Sequence, residues 1–204
     1  MTTPPDNPAS QTVLALAAAR GILRPSDLAG TGIARATLQR LVRAGALVRL
    51  GRGLYALADA DHSEHTSLAA VARKVPHGVV CLLSALRFHG MTTENPFQVW
   101  LAIDRKARLP ASSGTQMRIV RFAPHLLQQG VKPHDIDGVT VRITTPARTV
   151  ADCFRYRAKI GLDVALAALR SYMRDGKGTM DELWHAAQDC RVANVMRPYL
   201  EAMS

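Results

Sequence analysis

The sequence predicts an α+β protein in two parts: a small helical segment closed by a β-hairpin, then a larger mixed α/β part ending in a helical layer. Three observations predict this. Before residue 58, three short helix-like stretches are separated by glycines and followed by Gly51-Arg52-Gly53 between two apolar runs. After residue 66, strand-like runs come first and helix-like runs last, the segregated order of an α+β domain rather than the alternation of a doubly wound one. Between the two parts, Ala58-Asp-Ala-Asp-His-Ser-Glu-His65 has no hydrophobic period and holds three acids, the composition of a linker. The expected organisation is a disordered Pro-rich tail at residues 1–9, a domain at 10–57, a linker at 58–65 and a second domain at 66–204.

The elements of the first domain follow from local chemistry. Thr12 to Arg20 is rich in Ala and Leu, strong helix formers, and Gly21 is a natural stop. Ile22-Leu23 reads as a short strand. Pro25 suits the first position of a second helix, with Asp27 in the first turn where negative charge is favoured, and Gly30 ends it. A third helix is expected from about Ala34 to Ala44, stopped by Gly45. On it Leu38, Leu41 and Val42 share one face, the i, i+3, i+4 stripe of a buried side. Ala46 to Leu50 and Leu54 to Leu57 then form strands joined by the Gly-Arg-Gly turn. This order is that of a winged helix-turn-helix.

The outward face of the third helix carries Ala36, Gln39, Arg40 and Arg43, with Arg35 at its flank and no acid. Arg pairs bidentately with guanine and Gln with adenine, so Arg35, Ala36, Gln39 and Arg40 are the candidates for reading bases in the major groove. Arg43, Arg49 and the wing-tip Arg52 are the candidates for phosphates. Taken singly, an arginine-rich helix face is most often just a solvated face, and Gly-Arg-Gly is most often just a turn. Their order within fifty residues makes duplex DNA the expected partner.

Charge agrees. The 204 residues carry 26 Lys and Arg against 16 Asp and Glu, a net +10. Residues 1–57 contribute +5, from seven arginines against Asp6 and Asp27; the linker contributes −3 and residues 66–204 contribute +8. Such an excess favours an anionic partner: nucleic acid, an anionic membrane surface or an acidic protein. No apolar run approaches the ~20 residues that span a bilayer. Met1 to Ser10 lacks both a basic start and an apolar stretch, so no secretory signal is expected. Cys81, Cys153 and Cys190 are odd in number and far apart, which disfavours a disulfide framework and a zinc ribbon and favours the reducing cytoplasm.

In the second domain, residues 78–89 read as a buried segment, helical after Ser84 and closed by Gly90. Residues 97–103 and 117–122 read as strands, and residues 135–144 as a hairpin turning at Asp137-Gly138. Helices are expected at about 147–157 and 162–173. Another starts at Thr179, where Thr179-Met-Asp-Glu182 forms a capping box, and a last one ends near Pro198 to Leu200.

The stretch Arg40-Leu-Val-Arg-Ala-Gly-Ala-Leu-Val-Arg-Leu-Gly-Arg-Gly-Leu-Tyr55 is generic to many winged helices, whereas the matching stretches of the second domain are more particular. They are Cys81-Leu-Leu-Ser-Ala-Leu86, Thr145-Pro-Ala-Arg-Thr-Val-Ala-Asp-Cys-Phe-Arg-Tyr-Arg157, and Gly161-Leu-Asp-Val-Ala-Leu166 with Met196-Arg-Pro-Tyr-Leu-Glu-Ala202. Through all of these the chain resembles the AbiEi family of type IV antitoxins, winged-helix regulators encoded beside nucleotidyltransferase-like toxins. The resemblance implies an N-terminal domain that represses its own operon and a C-terminal domain needed for antitoxin activity. It implies no catalytic set and no cofactor. A plain winged-helix regulator without a toxin is the neighbouring alternative.

Other readings have thinner support. Asp104-Arg105-Lys106 at a strand end has the D-x-K form of restriction-type nucleases, but the nearest upstream acid, Glu94, sits in a loop-like stretch. His62 and His65 could share a helical face, yet no third metal ligand lies at a suggestive spacing. Asp152 and Arg155 form an i, i+3 pair worth a few tenths of a kcal/mol on a surface. Cys153 reads as a small core residue, since nothing near it in sequence would activate a thiol. No Gly-rich phosphate loop occurs. A membrane-surface helix would need exposed aromatics, whereas Trp100 and Trp184 read as core.

Overall fold

The computed structural model describes residues 7–60, 63–110 and 116–203. These form two compact units, one of the chain up to Pro76 together with His134–Val141, the other of His77–Leu109, Gln116–Pro133 and the chain from Arg142 onward. The class is the mixed one expected, with a helical N-terminal region and a larger α/β part.

In the first unit, α1 (Pro8–Arg20) begins inside the stretch read as tail, because Asn7 accepts a hydrogen bond from Ala9 N at 3.0 Å and Pro8 takes the first position. The second helix is shorter than expected, a single 3-10 turn at Pro25–Leu28. Its bonds are i→i+3, from Asp27 N to Arg24 O and from Ala29 N to Ser26 O, and the Asp27 carboxylate folds back onto Arg24 N at 2.7 Å. Ala29 is already extended, so no second turn follows. α2 (Ala36–Arg43) buries Leu38 and Leu41 against Val13, Ala17, Leu23, Leu28, Leu47 and Tyr55. β1 (Leu47–Gly51) and β2 (Leu54–Leu57) pair antiparallel. Gly53 at φ +72° makes the turn. The Ile22-Leu23 strand is one bridge, with Leu23 N donating to Tyr55 O at 2.7 Å and Tyr55 N to Leu23 O at 3.0 Å.

α3 (Thr66–Lys74), which the sequence places with the second domain, counts with this first unit. The reason is electrostatic. Arg73 donates to Asp27 Oδ2 at 2.7 Å and to Ile22 O at 2.8 Å. At its other end Thr66 Oγ1 donates to Asp137 Oδ2 at 2.6 Å, Asp137 also belonging to this unit. His62, half of the two-histidine reading, lies outside the described residues, as do residues 1–6.

A five-stranded sheet has the order β5-β4-β3-β7-β6. Its strands are β3 (Val79–Val80), β4 (Val99–Asp104), β5 (Met117–Phe122), β6 (Val131–Ile136) and β7 (Val139–Thr144). β3, β4 and β5 belong to the second unit, while His134–Val141 at the β6–β7 turn counts with the first. β3 runs antiparallel to β4 and parallel to β7, and β4 runs parallel to β5 with Val99 opposite Met117 and Asp104 opposite Phe122. Asp137 (φ +51°) and Gly138 (φ +71°) turn the β6–β7 hairpin, as the Asp-Gly pair predicts. α4 (Leu82–Phe88) starts two residues before Ser84, whose buried hydroxyl instead accepts from Trp100 N at 2.9 Å.

The helical layer follows as α5 (Pro146–Arg155), α6 (Arg157–Ile160), α7 (Leu162–Arg174), α8 (Met180–Asp189) and α9 (Ala193–Glu201). Val150, Phe154, Leu169, Tyr172, Leu183 and Met196 form its core with Leu82, Leu86 and Phe122. The expected capping box at α8 is present, Glu182 N donating to Thr179 Oγ1 and Thr179 N to Glu182 Oε2. Among the described residues, no helix is long and apolar enough to cross a membrane.

Candidate nucleic-acid interface

α2 is amphipathic, and burial divides it. Thr37, Leu38 and Leu41 are inside, while Ala36, Gln39, Arg40 and Arg43 are exposed, with Arg35 exposed at the N-cap. Arg35, Gln39 and Arg43 make no side-chain hydrogen bond or ion pair among the described residues. Arg40 donates to Thr37 Oγ1 at 3.2 Å, one turn back on its own helix. The structure thus brings the four base-reading candidates, Arg35, Ala36, Gln39 and Arg40, onto one short helix with no acid among them.

Of the phosphate candidates, Arg43 ends α2, Arg49 is exposed on β1, and Arg52 is exposed at the hairpin tip. Arg49 Nε donates to Gly51 O at 3.2 Å, which holds its side chain along the hairpin toward the tip. The remaining arginines of this segment, Arg20 and Arg24, have a different job. Both converge on Asp27, at 3.3 and 3.6 Å, where Arg73 already sits. Asp27 has a side chain only 8% exposed and is surrounded by three guanidinium groups. Sequence reading counted Arg20 and Arg24 into the charge but gave no sign that Asp27 gathers them, since Arg73 lies 46 residues away.

The chemistry-bearing residues of the second unit read differently in place. Asp104 ends β4 and its Oδ1 accepts from Lys106 N at 2.7 Å, so the carboxylate closes the turn that follows the strand. Arg121 Nη1 binds the Asp104, Arg105 and Ala107 carbonyls of the same turn. Among the described residues no group of three His, Cys, Asp or Glu could hold a metal ion.

Asp152 is fully buried, and its ion partner is Arg148, one turn earlier, at 3.1 Å, where the sequence had suggested a surface pair with Arg155. Arg155 donates instead to Cys190 O at 3.0 Å. Burial pushes the Asp152 carboxyl above its ordinary range, against the opposing pull of Arg148. Cys153 and Cys81 are buried, and burial drives both thiols well above the ordinary range, the opposite of an activated nucleophile. Trp100 is buried under Arg118, 4.5 Å from the ring centre, while Trp184 is half-buried with Arg197 at 5.7 Å.

The block Thr145 to Asp152 is therefore a helix-start and core device. Thr145 caps α5, Pro146 takes the first position, Thr149 Oγ1 meets Thr144 Oγ1 at 2.7 Å, and Arg148 binds the Leu126 and Gln129 carbonyls at 3.1 and 2.7 Å. A cleft of about 510 Å³ lies beside it, lined by Lys132, Lys177, His185, Asp181 and Glu182. Its charges are mixed, and His185 Nδ1 lies 2.7 Å from Asp181 O on its own helix.

Comparison with known proteins gives two family matches in chain order. The model described as "Transcriptional regulator, AbiEi antitoxin" matches residues 11–58, and "AbiEi antitoxin C-terminal domain" matches residues 78–197. Among solved structures, the crystal structure of the RV2827C protein from Mycobacterium tuberculosis is similar at 16% identity and TM-score 0.59. The similarity covers 89% of this chain and 72% of that one, a likeness of fold. No curated protein matches the chain in sequence.

Proposed function

Because the chain belongs to the AbiEi antitoxin family of transcriptional regulators, we propose that it represses its own operon as the antitoxin of a type IV pair. The observation that carries the DNA-binding part is the acid-free exposed face of α2 beside a hairpin tipped by Arg52. In this reading α2 enters the major groove, where Arg35, Ala36, Gln39 and Arg40 face base edges and Arg43, Arg49 and Arg52 neutralise phosphates. Repression is steric: a protein seated on the promoter excludes polymerase. The partner is a nucleotidyltransferase-like toxin encoded by the adjacent gene, and both act in the cytoplasm. The basic second domain presents its charge either to that toxin or to flanking DNA.

The test is growth of a bacterial host expressing the adjacent open reading frame alone, then with this chain from a separate promoter. Arrest by the neighbour and relief by this chain support the antitoxin reading. A harmless neighbour, or an arrest that this chain does not relieve, leaves a winged-helix regulator without a toxin. No catalysis is assigned. Incubating supercoiled plasmid with the chain and Mg²⁺ or Mn²⁺ should leave it intact, and cleavage abolished by Asp104→Ala would install the nuclease reading instead.

A further inference from the structure

Three side chains of α2 are buried, Thr37, Leu38 and Leu41, and Thr37 alone among them is polar. Its relative exposure is 3%. A β-branched residue is a weak helix former, and a buried hydroxyl costs free energy unless it is hydrogen-bonded. Valine would fill the same space without that cost. Among the described residues the Thr37 hydroxyl has one partner, Arg40 Nη2 at 3.2 Å. Helix and core thus accept a poorly suited residue whose hydroxyl serves one exposed arginine.

The bond sets that arginine apart. Arg35, Gln39 and Arg43 make no side-chain hydrogen bond or ion pair among the described residues, so their side chains must be ordered when a ligand binds. Arg40 is held beforehand. Thr37 lies three residues earlier, about 4.5 Å along the axis at 1.5 Å per residue, so the bond draws the guanidinium toward the start of α2. That end is the one a recognition helix places against base edges, and Arg35 and Ala36 stand there. Of the five N–H groups of the guanidinium, one goes to Thr37 and four stay free, enough for paired bonds to O6 and N7 of a guanine.

We propose that Thr37 is a positioning residue for base readout, its buried hydroxyl presenting the Arg40 guanidinium to a guanine of the operator. The proposal rests on the DNA-binding reading above and names, within it, the base that is read and the residue that orients its reader.

The experiment is fluorescence anisotropy with the full chain, a labelled duplex from the region upstream of its own coding sequence, and a scrambled duplex. Wild type, Thr37→Val, Thr37→Ser, Arg40→Ala and Thr37→Val/Arg40→Ala are titrated, with thermal melts to show that each variant folds. Thr37→Val is expected to weaken binding to the upstream duplex about five-fold and to the scrambled one less than about two-fold, because no phosphate contact is lost. Thr37→Ser keeps the hydroxyl and should stay within about two-fold of wild type on both. In the Arg40→Ala background Thr37→Val should change nothing, since the side chain it orients is gone. Replacing each G·C pair of the upstream duplex by A·T in turn should reveal one whose penalty, about 5- to 150-fold for wild type, disappears in Arg40→Ala and shrinks in Thr37→Val.

Thr37→Val with wild-type discrimination overturns the positioning role. So does an equal loss on both duplexes, a Thr37→Ser as weak as Thr37→Val, or a loss that persists without Arg40, each of which marks a purely structural threonine. The absence of any such G·C pair overturns the guanine assignment. These outcomes leave α2 as a DNA-binding helix. Wild type that holds the upstream duplex no better than the scrambled one sinks the operator-binding reading itself, and this proposal with it.

Discussion

Replacing Arg148 by Met keeps most of the side-chain stem and removes the charge that faces Asp152. Both residues are essentially inaccessible, Arg148 at 1% and Asp152 at 0%. The guanidinium supplies one bond to the carboxylate and two to the Leu126 and Gln129 carbonyls, and it lies over Phe122 at 5.3 Å. Without it a buried carboxylate is left uncompensated, apart from the Cys190 thiol donating to it at 3.4 Å. Breaking a buried pair in this way costs about 3–5 kcal/mol.

The cost depends on pH, and its sign follows from linkage. Burial raises the folded-state Asp152 pKa above its unfolded value. The folded state therefore holds that proton to higher pH, and stability falls as pH rises through the window between the two values. Removing Arg148 takes away the influence that opposes burial, so the window widens upward. The deficit of Arg148→Met should be larger at about pH 7 than at about pH 5.

Urea titration followed by tryptophan fluorescence isolates the second unit, because both tryptophans, Trp100 and Trp184, lie in it. The double variant Arg148→Met/Asp152→Leu should recover most of the loss. The pair is imperfectly satisfied as it stands, since Arg148 Nη2 and Asp152 Oδ2 have no hydrogen-bond partner among the described residues. A single variant costing under about 1 kcal/mol, or a double variant no better than the single, would refute the reasoning.

Arg40→Ala should cost about 1–3 kcal/mol on the operator and little on scrambled duplex, whereas Arg52→Ala should weaken both alike. An equal loss on the two duplexes for Arg40→Ala removes it from base readout. With about four or five phosphates contacted, log K should fall with log salt at a slope of roughly −4, and a slope shallower than about −2 would leave most of the arginines on α2 and the wing without a DNA role. Gly21→Ala tests the first unit. Gly21 has φ +64°, and a Cβ there would stand 1.5 Å from the Asp137 carbonyl oxygen. Destabilisation of about 3 kcal/mol or more is expected, read as faster hydrogen exchange at the Leu23 and Tyr55 amides that bridge beside it. Unchanged exchange would mean that this close approach does not constrain the unit.

The winged helix draws a distinction between steering and strength. Asp27 is the acid that the charge count of the first segment treats as a subtraction from seven arginines. In place it fixes Arg20 and Arg24 and anchors Arg73, so the arginines left for an anionic partner are those on α2 and the hairpin. A single carboxylate thereby sorts one arginine set into scaffold and surface.

What the sequence determined by itself is whatever depends on neighbours within about a turn. The capping box at Thr179, the Asp137-Gly138 turn, the Arg52-Gly53 hairpin tip and the buried stripe of α2 are all set by local dihedral preference or helical period. Each appears where the residues predict it. The Ala36–Arg43 face was legible for the same reason, since a 3.6-residue period assigns inside and outside without any partner. Tertiary structure decided the rest. Asp152 has arginines at both i−4 and i+3, equally reachable on a helix, and only the packing around α5 buries Arg148 against it and turns Arg155 to Cys190. Likewise the parallel pairings of β3 with β7 and of β4 with β5, and the docking of Arg73 on Asp27, join residues far apart in sequence. Their choice of partner depends on the path of the intervening chain and on which groups lose water together, and neither is written in any local window.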